Sequence, residues 1–138
     1  MKSIEQWINI VNSNQKLVDN GKWLNINFTF GYGNNDYLFE INNGRILSIN
    51  RRDLQTKSGI FKIHANPKSW EKHWLTIPPR DYHDIFAMLA KKIVTIDGNL
   101  IPLMQNLQYF KDIIASNRQI KKLGVNMIGI PLEKDGMD

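Results

Sequence analysis

The chain contains no cysteine, which removes disulfides, thiolate metal centres, iron–sulfur clusters and a cysteine nucleophile together. It also lacks any apolar run near the ~18 residues that would span a bilayer. Its opening, Met1-Lys2-Ser3-Ile4-Glu5-Gln6, turns acidic and polar where a signal peptide would begin its apolar stretch. The expectation is a cytoplasmic protein. Long runs of one charge are missing as well. Arg51-Arg52, Lys91-Lys92 and Lys121-Lys122 are isolated pairs, and no helix-turn-helix, zinc-finger or aromatic RNA-binding signature accompanies the net charge of +5. The basic residues therefore read as a solvated surface, with no nucleic-acid partner. Gly31-Tyr32-Gly33 lies between two alternating segments, not between a strand and a helix, so it is no phosphate loop. Ser13, Ser48, Ser58 and Ser116 lack the G-x-S-x-G setting of an exposed nucleophile.

What is present suits one folded domain: 138 residues, 42% hydrophobic and 22% charged. Ile4, Trp7, Ile8 and Val11 follow the spacing of one helical face, behind a Ser3/Gln6 capping pattern. A short helix from Asn14 to Asn20 is expected to stop at a left-handed Gly21. From Leu24 the period becomes two: Leu24, Ile26, Phe28, Phe30 and Tyr32, then an Asn34-Asn35-Asp36 turn, then Tyr37, Phe39 and Ile41. Asn43-Gly44 signals a hairpin into a third strand, Arg45 to Ile49. Ile60 to Ala65 reads as a fourth strand, and Asn66-Pro67 as the start of a helix bearing Trp70 and Trp74. After Pro78-Pro79, Asp81 and Asp84 are expected to cap a deeply buried helix with Tyr82, Ile85, Phe86, Met88 and Leu89. Ile93 to Ile96 makes a fifth strand, and Asp97-Gly98-Asn99 turns into one long helix from Leu100 to Ser116. Its stripe is Leu103, Met104, Leu107, Phe110 and Ile114. Residues 1–118 read as the domain and 119–138 as a C-terminal tail or flap.

The sharpest catalytic candidate is Asp81-Tyr82-His83-Asp84 with His73, since a carboxylate-oriented histidine is the usual general base. Adjacent helical residues point about 100° apart, so His83 and Asp84 are not expected to pair, and capping explains both aspartates. His64, His73 and His83 show no short metal-ligand spacing. The chain reads as no enzyme, with no metal and no cofactor. What stands out is apolar: four tryptophans, six phenylalanines and five methionines. Core packing accounts for such residues, and so does a deformable hydrophobic cavity.

The order of elements and several local strings resemble the sterol-carrier-protein family. They are Leu24 to Ile49 with its two turns, Ile93-Val94-Thr95-Ile96-Asp97-Gly98-Asn99, Trp70-Glu71-Lys72, Pro78-Pro79, Tyr82 to Met88, and Pro102 to Leu107. The last four look like a bacterial branch of that family. The resemblance implies an α+β fold, a five-stranded, mainly antiparallel sheet covered by helices around an apolar cavity. It implies a ligand-binding lining of Phe28, Phe30, Phe39, Phe61, Val94 and Ile96 from the strands and Phe86, Leu89, Leu103, Met104 and Leu107 from the helices. Ser69 to Pro79, with Trp70 and Trp74, stands as an insertion able to plug that cavity, and Gly136-Met137-Asp138 is not a peroxisomal Ser-Lys-Leu address. The implied function is to bind and carry or present a lipid-like small molecule (fatty acyl, isoprenoid or quinone precursor, or sterol-like) without catalysis. The rival is a non-catalytic interaction subunit that docks on a lipid-pathway enzyme or self-associates. A membrane surface, an enzyme and a second copy of the chain are the partners these readings leave open.

Overall fold

The computed structural model describes residues 2–51 and 59–121. The chain opens with α1 (Lys2–Ser13) and α2 (Gln15–Asn20). Ile4, Trp7 and Val11 of α1 are buried, as their spacing predicts. Asn14 caps α2 by accepting from the Leu17 amide at 3.2 Å. Gly21 ends α2 without the expected left-handed turn, at φ −116°. Glycine is needed there for space: a Cβ would stand 2.4 Å from the Tyr109 ring.

Strands β1 (Asn25–Tyr32), β2 (Asn35–Asn42) and β3 (Arg45–Arg51) form the expected meander. The first turn is Gly33-Asn34, one residue earlier than the polar run Asn34-Asn35-Asp36 suggests, because Gly33 takes the positive φ (62°) and frees Asn35 to pair with Tyr32. In the second turn Asn43 and Gly44 both have positive φ, 52° and 81°, the requirement of a two-residue hairpin. A register shift opposite Glu40/Ile41 leaves Leu47 outside the ladder. This bulge turns both Ile46 and Ile49 inward although they are three residues apart. Asn12 then clips α1 to the edge strand, donating to the Ile46 carbonyl (2.9 Å) and accepting from its amide (2.8 Å).

β4 (Phe61–Ala65) lies parallel to β1, and β5 (Thr95–Gly98) antiparallel to β4, giving the order β3-β2-β1-β4-β5. The sheet is therefore mainly antiparallel with one parallel pair. That pair arises because β4 adds to the free side of β1 instead of extending the meander beyond β3. The face carrying Phe28, Phe30, Phe39, Phe61 and Ile63 is covered by helices α3 (Pro67–His73), α4 (Ile85–Ala90), α5 (Ile101–Gln105), α6 (Leu107–Ser116) and α7 (Arg118–Lys121). Asn66 caps α3 with Pro67 at its first turn, as expected. Asp84 alone caps α4, accepting from Phe86 and Ala87 amides, whereas Asp81 sits in a left-handed conformation (φ 72°) outside the helix. The single long helix from Leu100 to Ser116 is instead two, broken at Asn106 (φ −132°, ψ 40°), whose side chain donates to the Pro102 carbonyl at 2.9 Å. Ile120 of α7 is buried, so the packed body reaches past residue 118, and residues 122–138 lie outside the described residues.

Three indoles hold the layers together. Trp70 donates to the Gly31 carbonyl in β1 at 2.8 Å. Trp7 and Trp74 donate to consecutive carbonyls at the end of α6, Ile113 at 3.0 Å and Ile114 at 2.9 Å. These are among the last carbonyls of that helix, beyond its regular amide ladder, where the Ser116 hydroxyl also donates to Ile113 and the Asn117 amide to Ile114. Tyr109 reaches from α6 to the Gly44 carbonyl at 2.7 Å, and burial pushes its hydroxyl pKa up.

Candidate functional site

The eleven side chains expected to line a ligand site divide into two groups. Phe28, Phe30, Phe39 and Phe61 are sealed in the sheet face. Their rings pack on one another: Phe28 stacks on Phe39 at 4.7 Å and on Phe61 at 5.3 Å, while Phe110 of α6 meets both Phe28 and Phe61 edge-on. Trp70 and Trp74 extend this cluster over Phe30. Val94 and Leu103 are buried beside it. The remaining five lie further out. Phe86, Ile96 and Leu107 are half-buried, Leu89 is 38% exposed and Met104 56%. α4 is therefore less deeply set than expected: Ile85 and Met88 face in, but Leu89 faces out.

The break at Asn106 explains why the expected stripe divides. α5 turns Leu103 inward and leaves Ile101 and Met104, three residues apart on one helical face, directed to solvent. Leu100, just before α5, is 38% exposed and Ile101 64%. Neither Leu100 nor Ile101 stood out in the sequence. The pair Ile101/Met104 beside a buried Leu103 is the signal of a helix apolar on both faces. Apolar side chains are thus exposed on both sides of the edge strand β5, Leu89 before it and Leu100, Ile101 and Met104 after it, with the exposed Lys91, Lys92, Thr95 and Asp97 between them. Elsewhere the described residues form shallow clefts with mostly polar rims. One of about 460 Å³ lies between α2 and α6, lined by Asn14, Lys16, Asn20, Gln108 and Asp112 among others.

His73 and His83 both feel Asp84, but neither is hydrogen-bonded to its carboxylate. His83 is exposed, and its Nε2 stands 3.8 Å from an Asp84 oxygen, an ion-pair distance the sequence argument did not foresee, although too long for a hydrogen bond. Burial works to raise the Asp84 pKa, but amide donors from Ala87 and Phe86, with Lys111 at 3.6 Å, hold it below the ordinary value. His73 is buried. Its Nδ1–H donates to the Tyr82 carbonyl at 2.8 Å, and desolvation lowers its pKa to about 4 despite that bond. Its Nε2, both side-chain polar atoms of Asn117 and the Arg118 Nε have no hydrogen-bond partner among the described residues, and an Arg118 terminal nitrogen donates to the His73 carbonyl. This polar knot at the α6–α7 corner gave no sign in the sequence, since its members are far apart in the chain. Among the described residues no three histidine or acidic side chains stand together as a metal site, and no helix is long and apolar enough to cross a membrane.

No protein-family model and no curated sequence matches the chain. Solved structures do. A crystal structure of sterol carrier protein 2 superposes with a TM-score of 0.69 at 9% identity, over 86% of this chain and 95% of that one. The chain has the sterol-carrier-protein fold. A conserved hypothetical protein of Thermus thermophilus, named as a candidate sterol carrier protein, gives a TM-score of 0.58 at 9% identity, covering 83% and 85% of the two chains. The ubiquinone synthesis protein UbiJ-SCP2 gives 0.54 at 9% identity, covering 81% and 84%. At such identities the sterol-carrier-protein fold is what is shared.

Proposed function

We propose that the protein binds and carries or presents an apolar, lipid-like molecule, and that it performs no bond-making chemistry. The observation that carries this reading is the set of outward apolar side chains flanking β5, Leu89 on one side and Leu100, Ile101 and Met104 on the other, with Ile85, Met88, Val94 and Leu103 buried beneath, at the edge of a sterol-carrier-protein fold. A folded domain gains nothing from leaving such side chains in water. Covering them recovers about 25 cal/mol per Å² of apolar area, which is how an acyl, isoprenoid or sterol-like ligand is held. Phe86, Leu89, Ile96, Met104 and Leu107 supply the contact surface, and the phenylalanine cluster supplies a rigid floor. A cytoplasmic location accords with a chain without cysteine. Absence of turnover is supported by the histidines: His83 is exposed without a hydrogen-bonded carboxylate, and His73 is buried with its Nδ1–H committed to the Tyr82 carbonyl.

Native mass spectrometry of gently purified protein tests the reading. The expected spectrum contains a lipid-sized mass on the monomer. Ligand-free protein that also fails to take up a fluorescent fatty-acyl or sterol-like probe would overturn it. A ligand-free dimer would favour the rival, an interaction subunit using the same apolar side chains against a second copy or a lipid-pathway enzyme.

A further inference from the structure

We propose that the protein forms a reversible two-fold dimer in which the Trp23 indole of each copy enters a cleft on the other. Trp7, Trp70 and Trp74 are buried, and each donates its indole N–H to a carbonyl of the fold. Trp23, in the turn between α2 and β1, does neither. It is 85% exposed, and its N–H donates to no group among the described residues. Beside it the Lys22 ammonium stands 5.4 Å from the ring centroid. An aromatic knob with a cation at its side therefore marks the end of the sheet at which β1 and β4 begin and β2 finishes.

The cleft begins two residues further along the chain. It holds about 420 Å³ and is lined by Asn25 and Asn27 of β1, Glu40 and Asn42 of β2, Leu47 of β3 and Ile60 just before β4, among others. The four polar residues alternate with Phe28, Phe39 and Ile41, so they face away from the helices. Leu47 and Ile60 give the cleft exposed apolar walls. The side-chain amides of Asn27 and Asn42 bond to nothing among the described residues and can accept an indole N–H. Glu40 receives the Ser48 hydroxyl on one carboxylate oxygen at 2.8 Å, which leaves the other open. Neither Glu40 nor Lys22 has an ion-pair partner among the described residues. A ring flanked by an ammonium thus matches a cleft with apolar walls, amide acceptors and a carboxylate. Knob and cleft lie side by side at one end of the same chain, so a second copy is the occupant that satisfies both at once. A two-fold axis between them closes the assembly at two. Two indoles and the walls they cover bury roughly 600–1,000 Å², below the roughly 1,200 Å² at which stable interfaces begin. The dimer is therefore reversible, and dilute protein is monomeric.

The test uses the intact protein. Sedimentation velocity from low micromolar to near-millimolar protein is expected to show a monomer–dimer equilibrium. Because the other three tryptophans are buried, acrylamide-quenchable emission reports Trp23, and its quenching is expected to fall over the same range of concentration. Trp23→Ala, at an exposed side chain, is expected to weaken dimerisation on the order of thirtyfold at an unchanged melting temperature. Glu40→Lys is expected to weaken it on the order of fivefold, and adding Lys22→Glu to restore it, a rescue that loss of the Ser48 bond alone would not permit. Monomer at every concentration, a dimer whose Trp23 stays quenchable, species growing beyond the dimer, or a charge swap without rescue would each overturn the proposal. So would a dimer that survives Trp23→Ala and is lost on Met104→Asp, which would place the contact at the side chains flanking β5. The proposal stands apart from the cargo reading. Dilute protein that takes up no lipid probe, yet dimerises through Trp23 when concentrated, would remove the carrier and leave this interface.

Discussion

Replacing Trp7 with phenylalanine probes the bond that closes the helical layer. The indole N–H donates to the Ile113 carbonyl at 3.0 Å and lies 2.9 Å from the Ser116 hydroxyl, which donates to the same carbonyl, so the substitution removes one of two donors from a buried acceptor near the end of α6. Losing one hydrogen bond from an acceptor that keeps another costs about 0.5–1.5 kcal/mol. Trp7 also meets Phe30, Phe39 and Trp74 edge-on at 5.5, 5.0 and 6.0 Å. Losing part of the ring from that contact adds roughly 1–2 kcal/mol of lost packing. A total near 2 kcal/mol corresponds, for a domain of this length, to a fall of about 7 °C in Tm. Thermal melting followed by circular dichroism measures it. Trp74→Phe leaves the neighbouring Ile114 carbonyl with only the long Asn117 amide bond (3.4 Å), and because the two rings touch, the double variant is expected to depart from additivity by about 0.5–1.5 kcal/mol. A Trp7→Phe protein melting within about 2 °C of the parent would refute the claim that this indole holds α6.

Gly44→Ala should cost about 3 kcal/mol or more in urea unfolding, since φ is 81° and a Cβ would lie 2.3 Å from the Val18 carbonyl oxygen. Gly33→Ala is expected to cost less, because its nearest neighbour is the Pro67 side chain at 2.9 Å. His73 binds its proton only near pH 4 in the folded protein but near 6.5 when unfolded. Its contribution is therefore complete above pH 6.5 and is lost as the pH falls toward 4, on the order of 3 kcal/mol in all. His73→Phe is expected to flatten the stability profile between those limits, and an unchanged slope would contradict this. Met104→Asp and Leu89→Asp should reduce uptake of a fluorescent fatty-acyl probe with little change in melting. Phe28→Ala should cost about 3–5 kcal/mol of stability while the folded fraction still binds.

Period-two and helical spacings made most of the fold legible, because burial on one face writes itself into the residue pattern. Phe28, Phe30, Phe39 and Phe61 on one side of the sheet, and Trp7 with Val11 in α1, are where their spacing puts them. Features that depend on where strands add were not legible. Nothing local in Ile60–Ala65 says that it joins β1 in parallel. The break at Asn106 was hidden for a related reason: Leu103, Met104 and Leu107 fit one continuous helix by spacing, and only a side-chain bond to the Pro102 carbonyl separates them. Hence the lining residues from the helices divided into sealed and exposed sets that no periodicity distinguishes. Trp70 and Trp74 were legible as large and apolar, but their indole partners, 39 and 40 residues away, were not.

The parallel pairing of β1 with β4 bears on how the chain is made. During synthesis β1, β2 and β3 emerge in succession and can close as a hairpin pair from contacts local in sequence, the fast kind to form. One side of β1 must then wait for Phe61–Ala65, and the aromatic face waits longer still for α6, whose last carbonyls rest on a tryptophan translated more than a hundred residues before them. For that interval a nascent chain presents Phe28, Phe30 and Phe39 beside an unpaired strand edge, which is the condition in which chains associate wrongly. The growing polypeptide is therefore most exposed to aggregation, and to chaperone capture, in the middle of its own translation.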